Sequence, residues 1–162
     1  MKLHELKQIQ ILPIGISKAW EFFSKPANLN QITPPWLKFK LLTPKVEKMY
    51  SGQILEYKIT ALLGIPQTWI TEIKSVVENR IFIDEQRFGP YKFWHHKHIF
   101  EEVESGVKMT DIVHYMLPFG VLGRLIHKFY IRKRLQNIFQ YRFDYLETKF
   151  GGIEKSQKLI SG

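Results

Sequence analysis

The chain has 162 residues, a length that favours one domain with a substantial core. It contains no cysteine, which excludes disulfides, thiol catalysis and thiolate metal sites. Its 44% hydrophobic and 14% aromatic content excludes a disordered chain. The net charge is +9, yet the basic residues are spread along the sequence and accompany no nucleic-acid-binding motif. We therefore expect no nucleic-acid partner. Because neither a signal peptide nor an apolar run of about 18 residues is recognisable, we expect a cytoplasmic protein.

The N-terminal part predicts one strand followed by short helices. Residues Leu3 to Leu12 alternate in the way that is typical of a half-buried strand. Ser17 is a suitable N-cap for a short helix over residues 18–23, which places Trp20 and Phe23 on one side. Two further elements are expected, a helical turn and a strand, at residues 26–32 and 36–42.

The middle of the chain predicts an antiparallel meander. Alternating segments bounded by turn residues cover 54–61, 68–77 and 80–88, and two long strands follow between Phe88 and Pro118. A tight turn at Glu104-Ser105 places His98 opposite Asp111 and Trp94 opposite Tyr115. A three-residue loop at 89–91 would place Asp84 opposite His96, whereas a two-residue loop would break that face.

The C-terminal part predicts one long helix. Apolar residues recur at three- and four-residue spacing from Gly120 to Phe150, and Gly151-Gly152 supplies a stop. Such a helix would extend about 45 Å and could lie across an entire sheet, with Leu122, Ile126 and Phe129 towards it. We expect residues 1–150 to form a single domain and 151–162 to form a flexible C-terminal tail.

The predicted sheet has an unusual inner face, because aromatic side chains share it with imidazoles and carboxylates. A buried sheet face is normally apolar, so this face either looks outward or lines a cavity with polar groups inside. A curved antiparallel sheet gripping one long helix can leave a gap between the two. These observations predict an α+β fold with a cavity between the sheet and the helix.

Three interpretations of the polar residues remain open. The pair His98 and Asp111 has the composition of a general acid–base catalyst, in which the carboxylate raises the basicity of the imidazole. The same residues, with Asp84 and His96, could form a mutually satisfied network that shapes the cavity. Two histidines and one carboxylate also match the composition of a metal site, although we predict no metal and no other cofactor.

The sequence resembles the START-like SRPBCC superfamily, and within it the bacterial ligand-binding and polyketide cyclase-like group. The likeness covers about residues 3–150 and is carried by the order of the elements and by three motifs. These motifs are Phe82-x-Asp84-x-Gln86-x-x-Gly89-Pro90, Trp94-x-His96-x-His98-x-Phe100 and Asp111-x-Val113-x-Tyr115-x-x-Pro118. The resemblance implies a helix-grip fold, in which a curved antiparallel sheet of about seven strands wraps around a C-terminal helix. Similar domains also occur fused to sugar-nucleotide epimerase-like proteins.

The resemblance further implies a deep, mostly apolar cavity, so we predict binding or transport of a lipid, quinone or polyketide-like molecule. Two alternatives are an enzyme of the cyclase or hydrolase type that uses His98 and Asp111, and a lipid-delivering module that docks on anionic membranes. An enzyme is the less favoured outcome, and the basic cluster Lys128, Arg132, Lys133 and Arg134 offers at most weak membrane contact. The predicted ligand-binding residues are Tyr57, Trp69, Asp84, Trp94, His96, His98, Asp111, Tyr115, Leu122, Ile126 and Phe129.

Overall fold

The computed structural model describes residues 2–44, 47–62, 64–118, 120–153 and 160–161. In these ranges eight strands form one curved antiparallel sheet in the order β2-β3-β4-β5-β6-β7-β1-β8. The strands are β1 (His4–Leu12), β2 (Lys40–Leu41), β3 (Gln53–Leu62), β4 (Ile65–Val77), β5 (Ile81–Phe88), β6 (Phe93–Val103), β7 (Gly106–Met116) and β8 (Ile160–Ser161). The predicted α+β class and the meander of the central strands are confirmed.

The helices flank this sheet in the predicted order. Helix α1 (Ile16–Phe23) follows β1, and the long C-terminal helix comprises α2 (Gly120–Ile126), a π-helical turn (His127–Ile131) and α3 (Arg132–Phe150). Between α1 and β2 the chain forms two 3₁₀ turns, Pro26–Asn30 and Pro35–Leu37.

Two local predictions in the N-terminal part are wrong. Gly15, not Ser17, occupies the N-cap position of α1, and no side-chain cap is formed there. Trp36 belongs to a 3₁₀ turn, because the proline at position 35 starts a helical turn instead of extending the chain. Of the strand predicted at residues 36–42, only Lys40 and Leu41 form a ladder with β3.

The register of the central hairpins agrees with the sequence prediction. His98 pairs with Asp111 and Trp94 pairs with Tyr115, because Glu104-Ser105 forms a two-residue turn. Asp84 pairs with His96 across β5 and β6. The alternation of strand residues therefore brings the polar groups of three strands onto one face.

Two bulges between β4 and β5 change which side chains face inward, relative to the strict alternation of a regular strand. Ile73 pairs with Asp84 whereas Ser75 pairs with Ile83, so Val76 faces inward, although strict alternation from Ile73 would turn Ser75 inward. A second shift lies between the pairs Ile70–Phe88 and Thr71–Gln86, and Phe88 is 61% exposed, although strict alternation from Gln86 would turn it inward. Each bulge inserts one extra residue and thereby reverses the side-chain alternation beyond it.

The core lies between the inner sheet face, α1 and α3. Trp20 and Phe23 of α1 pack on Phe100 with ring centroids 5.6 and 5.4 Å apart. From α3 the buried apolar residues Leu135, Phe139, Phe143 and Leu146 recur at three- and four-residue spacing. Burying a side chain of this size stabilises the fold by about 1.5–3 kcal/mol. These contacts hold α3 across the sheet.

The π-helical turn shifts the face of the helix that precedes α3. A π turn accommodates one extra residue, so positions before it rotate relative to the stripe after it. Ile131 is 2% exposed, whereas Phe129 is 73% exposed. The predicted inward orientation of Phe129 is therefore wrong. The side chain of Leu122 lies outside the described part of the structure.

The C-terminal segment is described only in part. Ile160 and Ser161 pair with Lys7 and Leu6 at the free edge of β1. Residues 154–159 and Gly162 lie outside the described ranges. The flexible tail and the boundary at residue 150 stay predictions.

Candidate functional site

A cavity of about 180 Å³ separates the sheet from α3. Its wall combines residues of β3 to β6, the segments around α1 and the 3₁₀ turns, and one face of α3. The apolar and aromatic lining residues are Phe22, Phe23, Leu29, Ile32, Leu37, Phe39, Met49, Tyr57, Ile59, Trp69, Ile73, Phe82, Tyr91, Trp94, Leu135, Ile138 and Phe139. An engineered apolar cavity of roughly 150 Å³ accepts benzene. The space here is therefore sufficient for a ring-sized apolar group.

One wall of the cavity carries charged and polar side chains. Asp84, His96, His98 and Arg142 line the cavity, and Asp111 lies behind them with 0% exposure. We call these five residues the inner cluster. They reach one place because β5, β6 and β7 pair in register and α3 crosses above them.

The two histidines of the inner cluster lie between its two carboxylates. His98 Nδ1 is 2.7 Å from Asp111 Oδ1, and His98 Nε2 is 3.0 Å from Asp84 Oδ2. His96 Nε2 is 3.1 Å from the same Asp111 oxygen, and its Nδ1 is 3.7 Å from Asp84. Since both nitrogens of His98 face carboxylate oxygens, its doubly protonated form satisfies both contacts.

The two histidines differ in protonation, because their surroundings stabilise a positive charge on only one of the two rings. Burial alone would lower the pKa of His98, but Asp111 and Asp84 raise it above its ordinary value. Burial and the neighbouring His98 charge lower the pKa of His96 to about 4. The rings of the two histidines are 3.7 Å apart, so two positive charges would repel strongly. At neutral pH we therefore assign the imidazolium to His98 and the neutral imidazole to His96.

The carboxylates of the inner cluster are held ionised. Burial would raise the pKa of Asp111, but Arg142 and His98 hold it well below its ordinary value. Burial opposes ionisation of Asp84 as well, and the hydrogen bond from His98 lowers the pKa of that carboxyl. With His98 and Arg142 positive, the cluster has no net charge. This balance explains how four charged groups remain stable beside an apolar cavity.

Arg142 is a residue of the inner cluster that sequence reasoning missed. Its Nη1 lies 3.6 Å from Asp111 Oδ1, and its guanidinium lies 5.5 Å from the ring of Phe23. The signal was present, because Arg142 follows Phe139 by three residues and so falls in the apolar stripe of the helix. A cation at such a position requires a buried anion on the facing strand.

The structure brings most of the predicted site residues to the cavity, but not all of them. Those that line it are Tyr57, Trp69, Asp84, Trp94, His96 and His98. Asp111 supports the wall from behind, whereas Tyr115 and Ile126 pack in a neighbouring apolar cluster. Phe129 points to solvent. Burial of Tyr57 raises the pKa of its phenol, so a neutral hydroxyl faces the cavity.

A second group of titratable residues lies beside the π-helical turn. His4 stacks on His127 with ring centroids 3.6 Å apart, and Tyr115 Oη is 2.7 Å from His127 Nε2. We call these three residues the histidine stack. Both histidines are buried, with 7% exposure each. Burial and the His4 ring lower the pKa of His127 to about 4.

The inner cluster also meets a geometric condition for binding a cation, because ligand atoms of Asp84, His96 and His98 lie within 4.8 Å of one another. The donor set nevertheless fits a metal poorly. Asp84 and His98 already lie at hydrogen-bond distance, and Arg142 adds a positive charge to the same cluster. The geometry favours a proton-bearing network over a metal centre.

Comparisons with known proteins define the fold. No protein-family model matches the chain, and no curated protein matches it. Protein CV1439 from Chromobacterium violaceum aligns with a TM-score of 0.69 and 12% identity over 93% of this chain and 99% of that one. Ara h 8.0201 aligns with a TM-score of 0.58 and 14% identity over 91% and 99%. At these identities the likeness shows the fold alone.

One further similarity concerns a larger protein. A nucleoside-diphosphate sugar epimerase from Corynebacterium glutamicum aligns with a TM-score of 0.60 and 19% identity. The match covers 86% of this chain but only 28% of that one. The same architecture therefore also occurs within a longer polypeptide. Together, the sheet, the gripped helix and the neighbours show a helix-grip fold, as predicted.

Proposed function

We propose that this protein binds a hydrophobic small molecule in the cavity between the sheet and α3. The observation that carries the proposal is the cavity itself, which is walled by aromatic and aliphatic side chains and has polar groups on one side. Ligand sites combine an apolar enclosure with a few fixed polar groups in this way. Lipids, quinones and polyketide-like compounds are the classes that we consider.

The inner cluster supports a binding role better than acid–base catalysis. A general base needs a free nitrogen within reach of the substrate, but both nitrogens of His98 already face carboxylates. His96 faces the cavity in a neutral form, and its low pKa of about 4 makes it a weak base. We infer that the cluster fixes the shape of the cavity and offers polar contacts to a ligand.

Binding is tested by native mass spectrometry of the gently purified protein and by calorimetry with 2-naphthylmethanol. We expect a co-purified small molecule or a saturable one-site isotherm. The variant Ile138→Trp should fill the cavity and weaken binding about tenfold or more. The matched control is Ile112→Trp, which places the same bulk on the outer face of β7. Equal affinity of both variants for the probe would contradict the proposal.

A second candidate function is delivery of the ligand at an anionic membrane. Leu125 and Phe129 are 52% and 73% exposed, and Lys128 Nζ lies 5.5 Å from the Phe129 ring. Arg132 and Lys133 are exposed on the following turn. Apolar side chains beside cations favour the interface of an anionic bilayer, where each cation adds about 1 kcal/mol. No helix within the described ranges is both long and apolar enough to cross a membrane.

Vesicle co-sedimentation tests this candidate. We expect binding to vesicles that contain phosphatidylglycerol, little binding to pure phosphatidylcholine vesicles, and a loss of binding at high salt. Phe129→Ser should weaken the interaction, whereas Tyr50→Ser, which removes a 62% exposed aromatic residue elsewhere, should not. Binding that ignores both lipid charge and salt would exclude the candidate.

A further inference from the structure

Arg134 occupies a distinctive position on α3. Its guanidinium carbon lies 3.5 Å from the centroid of the Trp36 ring, which is close stacking between a planar cation and an aromatic face. The residue also lines the cavity, one turn before Ile138. Stacking fixes the plane of the guanidinium while leaving its in-plane N–H donors free to face a partner.

The charge of Arg134 has no protein counterion within the described ranges. The carboxylates of the cavity wall are engaged elsewhere, since Asp84 and Asp111 contact His98. Lys25, another cation in the lining, pairs with Glu21 at 2.7 Å. Arg134 Nε is buried and has no hydrogen-bond partner in this part of the chain. A half-buried arginine in this state is a ready donor for an anion.

We propose that Arg134 binds the carboxylate of an amphipathic ligand whose apolar body fills the cavity. This inference rests on the proposed function and names its ligand class as hydrophobic carboxylic acids. A carboxylate matches the planar fork of an arginine and accepts two parallel hydrogen bonds from it. The inner cluster carries no net charge, so Arg134 supplies the uncompensated positive charge of the wall.

The experiment compares two probes with the same naphthalene ring, 2-naphthoate with its anionic carboxylate and 2-naphthylmethanol with a neutral hydroxymethyl group. Calorimetry on the full chain should show that 2-naphthoate binds at least about tenfold more tightly. Arg134→Gln should reduce this preference to within about twofold, because the affinity for 2-naphthoate falls much more than the affinity for the alcohol. Arg134→Lys should retain part of the preference, because it keeps the charge without the fork.

The matched control is Lys133→Gln, which removes one exposed cation from the adjacent position of the helix. It should leave the preference for the carboxylate intact. Equal binding of both probes to the unmodified protein, or an equal effect of the two glutamine variants, would overturn the inference while the apolar cavity stands. Failure of both probes to bind would overturn the proposed function with it. Circular dichroism of each variant establishes that it is folded.

Discussion

The inner cluster and the histidine stack place the same residue type in opposite electrostatic surroundings. His98 lies between two carboxylates, and its pKa is raised. His127 contacts another imidazole and a phenol, and burial, reinforced by the His4, Arg132 and Lys2 charges, lowers its pKa to about 4. Both side chains are buried, so burial alone does not decide the protonation state. The presence of a carboxylate does.

The largest effect should follow from removing the shared carboxylate of the inner cluster. Asp111→Asn leaves two buried cations, His98 and Arg142, with Asp84 as the remaining carboxylate of the inner cluster. Breaking a buried pair in this way destabilises a protein by about 3–5 kcal/mol. Urea denaturation at pH 7 measures the change.

The control for this variant is Asp144→Asn, an exposed position on α3 that accepts a hydrogen bond from Gln140. It should change the free energy of unfolding by less than about 0.5 kcal/mol. A loss below about 1 kcal/mol in Asp111→Asn would show that the inner cluster does not depend on its buried anion.

His98→Gln should lower the free energy of unfolding by a smaller amount, about 2 kcal/mol at pH 6, because it removes charged hydrogen bonds to two carboxylates. Since the folded-state pKa of His98 is raised, its contribution is fully present below the unfolded value of about 6.5 and is lost as pH rises through the folded pKa. The stability difference between the two proteins should therefore shrink at higher pH. A difference that grows with pH would contradict the assigned imidazolium.

The histidine stack should respond to pH in the opposite direction. The lowered pKa of His127 means that the unfolded chain takes up a proton first, so stability falls as pH drops from about 6.5 towards 4. His127→Gln keeps a hydrogen-bonding partner for Tyr115 but does not titrate. It should cost about 1 kcal/mol at pH 7 and lose less stability than the unmodified protein on acidification.

Chemical denaturation at pH 7 and pH 4.5 gives this difference directly. His114→Gln serves as the control, since His114 lies on the outer face and contacts Glu5 at 2.9 Å. Should His127→Gln lose as much stability on acidification as the unmodified protein, the buried neutral state of His127 would be wrong.

The smallest effect concerns the π-helical turn, in which Phe129 is exposed and Ile131 is buried. Phe129→Ala should change the free energy of unfolding by less than about 0.5 kcal/mol, because the side chain is 73% exposed. Ile131→Ala, two residues later and 2% exposed, should lose about 2–5 kcal/mol. Thermal or urea unfolding of the two variants measures the difference, and a loss from Phe129→Ala as large as that from Ile131→Ala would contradict the assigned orientation of the two side chains.

Strand parity explains how much of the inner cluster was predictable. A two-residue turn at Glu104-Ser105 fixes the register of β6 and β7, and that register places His98 opposite Asp111. A single apolar face then requires the aromatic residues of neighbouring strands to lie together, as Trp69 and Trp94 do with ring centroids 5.2 Å apart. Local patterns and one turn were sufficient for these positions.

Insertions into regular structure explain the failures. The bulge near Phe88 and the π turn before Arg132 each add one residue, and nothing in the alternation or in the helical spacing announces them. The histidine stack has a different origin, because His127, Ile131 and Leu135 recur at four-residue spacing and are all buried. Arg142 was missed because its role depends on an anion contributed by a strand more than 30 residues away, as the separation from Asp111 shows.

We propose that the space between the sheet and α3 accepts an apolar ligand, and the tryptophan side chains report on this space directly. Four indole N–H signals can be followed by ¹H–¹⁵N NMR during a titration with neutral 2-naphthylmethanol. Trp69 and Trp94 line the cavity, whereas Trp20 is buried among the side chains of α1 and the sheet. We predict saturable shifts at Trp69 and Trp94 and none at Trp20. Saturation without any shift at Trp69 and Trp94 would contradict the claim.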